Sequence, residues 1–173
     1  MAHFHDHHIG LASKAFSGAE TLTGLHFRLN RQEMKRHRYE VKTLAFLDEK
    51  ERSDRAFAHL CKYQYDESSD GRGDAHFYRV CLQDDRILDA VSRARSYISL
   101  GALLLYIATH ELVHVVRFDR GEIDFDASGE EREREEERVH AITHEVLQPS
   151  LCRNLTLIHD CFSSRYKIGD LFN

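Results

Sequence analysis

Leu103-Leu104-Leu105-Tyr106-Ile107-Ala108-Thr109-His110-Glu111-Leu112-Val113-His114 is the stretch around which this 173-residue chain is organised. An apolar run leads directly into two histidines four residues apart. Helical spacing puts Leu103, Ile107, His110 and His114 on one face, so a helix buried through that face turns both imidazoles inward. Two inward histidines and a glutamate are costly to bury unless something binds them. His110-Glu111-Leu112-Val113-His114 also matches H-E-x-x-H. On a helix the two histidines project about 5–6 Å apart, which suits two imidazole nitrogens on one zinc ion. Glu111 lies beside them, able to reach a zinc-bound water and take its proton. A chain with 13 histidines and 15 glutamates contains this pattern by chance about 0.08 times, so the apolar context carries as much of the reading as the motif.

Outward from the motif, Gln83–Arg95 and Ser96–Arg117 are predicted helices with a break near Arg95. The uncharged run Ser96–Thr109 is too short to cross a membrane, and extending it to Val116 would place His110, Glu111 and His114 in lipid. Phe118–Ala127 is an acidic connection. Ser128 and Glu131 then form a capping-box pattern, and the helix it opens, Gly129–Leu147, stops before Pro149. Its first half, Glu130–Arg138, is a run of glutamates and arginines. Val139, Ile142, Val146 and Leu147 give its second half an apolar face. Leu151–Arg165 reads as a final helix.

A third metal ligand is expected from that glutamate helix. H-E-x-x-H, an acidic connection and a helix with a metal-binding glutamate form the plan of the gluzincin metallopeptidases. Glu136-x-x-x-His140-x-Ile142-Thr143-x-x-Val146-Leu147-x-Pro149 resembles, more closely, the second helix of the ImmA/IrrE-type peptidases, which carry E-x-x-x-N-x-F-A-x-x-L-L-x-P there. The resemblance spans about Tyr106–Pro149. It implies zinc held by His110, His114 and Glu136, with Glu111 as general base in hydrolysis of a peptide or amide bond. His140 stands where that family has asparagine, and Thr143 where it has alanine. Glu136 shares a face with Val139, His140, Thr143 and Leu147. Glu137 shares one with His140 and His144, so Glu137 and His140 remain alternative third ligands.

Two other readings come from the same residues. Glu111-Leu112-Val113-His114 and Glu137-Arg138-Val139-His140 are both E-x-x-H, the pairing that builds di-iron sites in ferritin-like bundles. Against it, the two helices are consecutive in the chain and strands are also predicted. The remaining reading is a metal-bound but catalytically inactive binding module.

The expected architecture is α+β and zincin-like: a short antiparallel sheet against the H-E-x-x-H helix, with the glutamate helix crossing it. Tyr39–Leu47 and Ala75–Leu82 are the predicted strands, and Ala75–Leu82 is the edge expected to receive an extended substrate. Leu11–Leu22 and Asp48–Tyr63 read as helices. Residues 1–10, with His3, His5, His7 and His8, read as a flexible terminus preceding one domain over 11–173. Asp66–Asp74 reads as a turn-rich loop in which Arg72-Gly73-Asp74 is an ordinary turn. Arg28–Lys42 is locally basic and reads as a solvated face.

The net charge of −5 gives no reason to expect nucleic acid, and no membrane partner is expected. Cys61, Cys81, Cys152 and Cys161 form no C-x-x-C pair, which excludes a cysteine zinc ribbon. With no apolar signal segment at the start, they read as reduced thiols of a cytoplasmic protein. Phosphate-binding glycine loops and a serine nucleophile elbow are absent from the sequence. Tyr106, His140, His144, His159 and Tyr166 are the candidates for stabilising an oxyanion.

Overall fold

The computed structural model describes residues 1–65, 75–95, 97–150 and 158. Among them the chain is α+β, with five α-helices and one three-stranded sheet. The expected loop Asp66–Asp74, and Leu151–Arg165 apart from the buried Ile158, lie outside the described residues.

Helix α1 covers Asp6–His26, longer than the predicted Leu11–Leu22. It begins inside the segment expected to be a loose terminus, where the N–H of buried Phe4 donates to Asp84 Oδ2 at 2.8 Å. Ala12, Ala15, Phe16, Ala19 and Thr23 repeat every three or four residues and form its buried face. The helix ends where Leu29 N donates to Gly24 O at 2.8 Å. A Cβ on Gly24 would meet that Leu29 oxygen at 3.3 Å, so glycine permits the close approach. Helix α2, Arg31–Lys35, is a single turn whose capping box is made by Asn30 and Glu33.

Strands β1 (Tyr39–Lys42), β2 (Ala58–Gln64) and β3 (His76–Leu82) lie in the order β1-β3-β2. β2 runs antiparallel to β3, but β1 runs parallel to it, with Tyr39 opposite Tyr78. The sheet is therefore mixed rather than antiparallel. β3, the expected edge, is the central strand. Both its sides are already paired, so it cannot receive an added peptide strand. Its burial matches that central position: Tyr78, Val80, Cys81 and Leu82 are all buried.

The predicted helix Asp48–Tyr63 is instead a single turn, Glu49–Glu51, followed by β2. Glu51 has left the surface. Its carboxylate accepts bonds from Tyr63 Oη and Arg79 Nη1 at 2.5 Å each and from the Asp48 backbone. Burial alone would raise its pKa; the bonds from Tyr63, Asp48 and Arg79 outweigh that and hold it at about 2.

Helices α3 (Asp84–Arg93) and α4 (Leu100–Asp119) follow. Ser99 caps α4, accepting from Ala102 N at 3.2 Å. By length and composition α4 is apolar enough to cross a membrane, yet 67% of that window is buried within the protein; it is the core helix. It stops in a Schellman turn: Gly121, at φ +68°, donates to Phe118 O and Glu122 N donates to Arg117 O. Helix α5 covers Gly129–Leu147. It ends where Pro149 predicts, but Ser128 makes no side-chain cap bond. Val113, Val139 and Val146, with Leu22, Phe27 and Ile142 against them, join α1, α4 and α5.

Candidate metal centre

Two helices build the site, and their pairing is visible rung by rung. Tyr106 Oη on α4 is hydrogen-bonded to His140 Nδ1 on α5 at 2.6 Å. One turn further along α4 and back along α5, His110 faces Glu136. At the next rungs Glu136 also faces His114, and Arg132 lies over the Phe118 ring. Residue numbers rise on one helix as they fall on the other, so the helices are antiparallel.

A buried ion pair fixes the register. Arg117 Nε and Nη2 donate to Glu135 Oε1 and Oε2 at 2.6 and 3.0 Å, and Arg117 Nη1 also donates to Glu122. Glu135 and Arg117 are only 4% and 6% exposed. A fork-to-fork contact of this kind tolerates little sliding, and it sets the position of the next residue, Glu136.

Glu136 is thereby brought between the two histidines of the motif. Its Oε2 lies 3.3 Å from His110 Nε2 and its Oε1 lies 3.3 Å from His114 Nε2. Among the described residues, His110, His114 and Glu136 form one group whose ligand atoms all lie within 4.8 Å of one another, and this group can hold a metal ion. The spacing has physical meaning. Tetrahedral bonds of about 2.0–2.1 Å to N and O ligands give donor–donor edges of about 3.3 Å, slightly longer than an ordinary N–H···O hydrogen bond. Two imidazoles and a carboxylate are also a donor set that transition metals accept.

The imidazoles are oriented by packing. His110 lies edge-to-face with His114 at 4.9 Å and stacks against Tyr106 at 6.1 Å, while His114 stacks on Phe118 at 5.6 Å. Among the described residues, Nδ1 of each histidine is buried and has no hydrogen-bond partner, and the aromatic neighbours hold the rings in place.

The electrostatics are those of a concentrated, partly dry site. Burial disfavours the carboxylate of Glu136, but bonds and charge from His110 and His114 dominate and hold its pKa far below the usual range. Burial works against a charged His110, and the facing Glu136 raises its pKa in spite of that. Glu111, 9% exposed, has its pKa raised by burial, which the nearby histidines only partly offset. Burial, followed by the charge of Glu136, pushes the Tyr106 phenol up.

Of the other predicted candidates, Glu137 is exposed and takes no part in the group. His140 is joined to Tyr106 one turn away from Glu136, and Tyr106 itself is fully buried. His144 pairs with Gln148 at 2.9 Å. His159, Tyr166, Cys152 and Cys161 lie outside the described residues. Sequence reasoning missed Arg132, whose Nε is 3.5 Å from Glu136 Oε1, and the Arg117–Glu135 lock. Arg132 had a signal in its spacing: it lies one turn before Glu136 on the same face. A surface cleft of about 470 Å³, lined by Lys35, His37, Arg38, Tyr39, Tyr65 and Phe77 with Glu20 and Glu40, contains none of the metal-group residues.

No protein-family model, curated protein or solved structure matches this chain, so the residues and their geometry stand as the basis for its function.

Proposed function

We propose that the protein is a zinc-dependent hydrolase of the H-E-x-x-H type, cleaving a peptide or other amide bond. The observation that carries the reading is the convergence of His110 Nε2, His114 Nε2 and the Glu136 carboxylate from two helices at 3.3 Å. His110, His114 and Glu136 would hold the metal. A bound zinc ion polarises a carbonyl and lowers the pKa of its water toward ~7.

The remaining work falls to the chain. Glu111 follows His110 directly, is almost buried, and is electrostatically coupled to His110, His114 and Glu136. Its raised pKa suits a general base, which must accept a proton from the attacking water and return it to the departing amine. The half-exposed side of the site is the Glu136 side, where 44% of that side chain is open to solvent; substrate enters there. Tyr106 and His114, by contrast, are buried. The di-iron alternative finds less support: it needs Glu137 as a ligand, and that residue is exposed.

Glu111→Gln tests the reading. The change preserves size and removes the base, so zinc content should survive while peptide hydrolysis falls by roughly 10²–10⁴-fold. Loss of metal without unfolding would make Glu111 a ligand and favour a di-iron site. Retained metal with no hydrolysis by the parent protein would favour a binding module.

A further inference from the structure

We propose that Arg132 is the substrate-recognition residue of this site and selects amides bearing a carboxylate two or three bonds from the scissile carbonyl. The inference rests on the hydrolase reading and adds a substrate class to it.

The arginines of this protein divide by how fully they are engaged. Arg117 is clamped by close contacts from Nε, Nη1 and Nη2 to Glu135 and Glu122. Arg79 holds Glu40 and Glu51 at 2.6 and 2.5 Å. Arg132 is different. Among the described residues its polar contacts are Nε to Glu136 Oε1 and Nη1 to Phe125 O, both at 3.5 Å, beyond ordinary hydrogen-bond length. A guanidinium has five N–H donors, so most of its capacity is unspent. The Glu136 oxygens lie closer to the two histidine Nε2 atoms, at 3.3 Å, than to Arg132.

Position supports the same use. The guanidinium lies over Phe118 at 6.0 Å, and Phe118 stacks on His114, so the cation is held against the wall of the site. It is 39% exposed, on the open side where Glu136 also meets solvent. A planar, loosely engaged guanidinium beside a metal group is suited to two-point capture of a carboxylate.

The test compares two small metal-directed probes on the zinc-loaded full chain. N-hydroxysuccinamate and butyrohydroxamate have the same hydroxamate and chain length, and differ by a carboxylate in place of a methyl group. The parent should bind the succinamate about 10-fold more tightly, the scale of one charge-assisted contact at a half-exposed site. In Arg132→Gln that preference should fall to about 1, with Arg132→Lys between. Zinc affinity of Arg132→Gln should stay within about 3-fold of the parent, because Arg132 is not a ligand. An unchanged probe preference in Arg132→Gln would overturn the proposal. A loss of zinc affinity beyond about 10-fold would also overturn it, making Arg132 a positioning residue for Glu136. Failure of both hydroxamates to bind the zinc-loaded parent would overturn the metal-centre reading itself, and this inference with it.

Discussion

Replacing one member of the Arg117–Glu135 pair should damage the protein far more than replacing both. In Glu135→Ala, Arg117 remains 6% exposed and loses its two-pronged contact, keeping only the partly exposed Glu122. Breaking a buried pair from one side costs about 3–5 kcal/mol. The surviving Glu122 contact places Glu135→Ala at about 3 kcal/mol. Arg117→Met strands Glu135, which is 4% exposed, and should reach the upper end, about 5 kcal/mol. For a chain of this length each kcal/mol shifts Tm by about 2–4 °C. The double variant Arg117→Met/Glu135→Leu removes both charges and fills the space with apolar atoms. It should lie within about 1–2 kcal/mol of the parent. Urea unfolding of the metal-free protein, followed by circular dichroism, measures the parent and the three variants. A double variant as unstable as the singles, or a Glu135→Ala cost below about 1 kcal/mol, would refute the view that this pair locks α4 to α5.

The third-ligand assignment separates adjacent residues: Glu136→Ala should weaken zinc binding by at least about 100-fold, more than outer partners are usually worth, whereas Glu137→Ala, at an exposed position, should change it little. Competition against a chromophoric chelator gives both values, and the reverse ranking would move the site by one residue. Stability should also respond to acid through Glu51 and Asp119. Burial tends to raise both pKa values, but the Tyr63, Asp48 and Arg79 bonds hold Glu51 at about 2, and those from His37 and His76 lower Asp119. A carboxyl with a lower pKa folded than unfolded adds stability that is complete above its unfolded value and is lost as pH falls toward the folded one. Unfolding free energy should therefore fall from about pH 5 to pH 2. Glu51→Gln should flatten part of that slope, and an unchanged slope in the variant would contradict this origin.

The parts of the fold legible in the sequence are those set by local pattern. α4 and α5 announce themselves through an apolar run, a helical repeat and Pro149. Glu136 could be favoured over Glu137 because it continues the face of Val139 and Thr143, both of which are fully buried. What escaped reading depends on distant partners. Asp48–Glu51 looks like the start of a charged helix, but Glu51 is buried because Arg79 and Tyr63 meet it from two strands. The parallel pairing of β1 with β3 joins residues 39 apart, Tyr39 with Tyr78, and no local signal encodes it. The central position of β3 follows from that pairing, so the expected substrate edge was misplaced for the same reason. The N-terminal histidines hid a helix because Phe4 and its Asp84 partner are 80 residues apart. Arg132 is hidden among the alternating charges of Glu130–Arg138, and Arg117 sits in the last turn of the otherwise apolar α4. Their roles appear only once α4 and α5 are set side by side.

Zinc binding by the untagged full chain tests the central claim most directly, measured by chelator competition and elemental analysis on the parent and on His110→Ala/His114→Ala. The chelator outcompetes any loose binding by His3, His5, His7 and His8. One tightly held zinc per chain is expected in the parent and none in the double variant, with the fold retained by circular dichroism. Equal zinc stoichiometry in the two proteins, or two irons per chain in the parent, would contradict it.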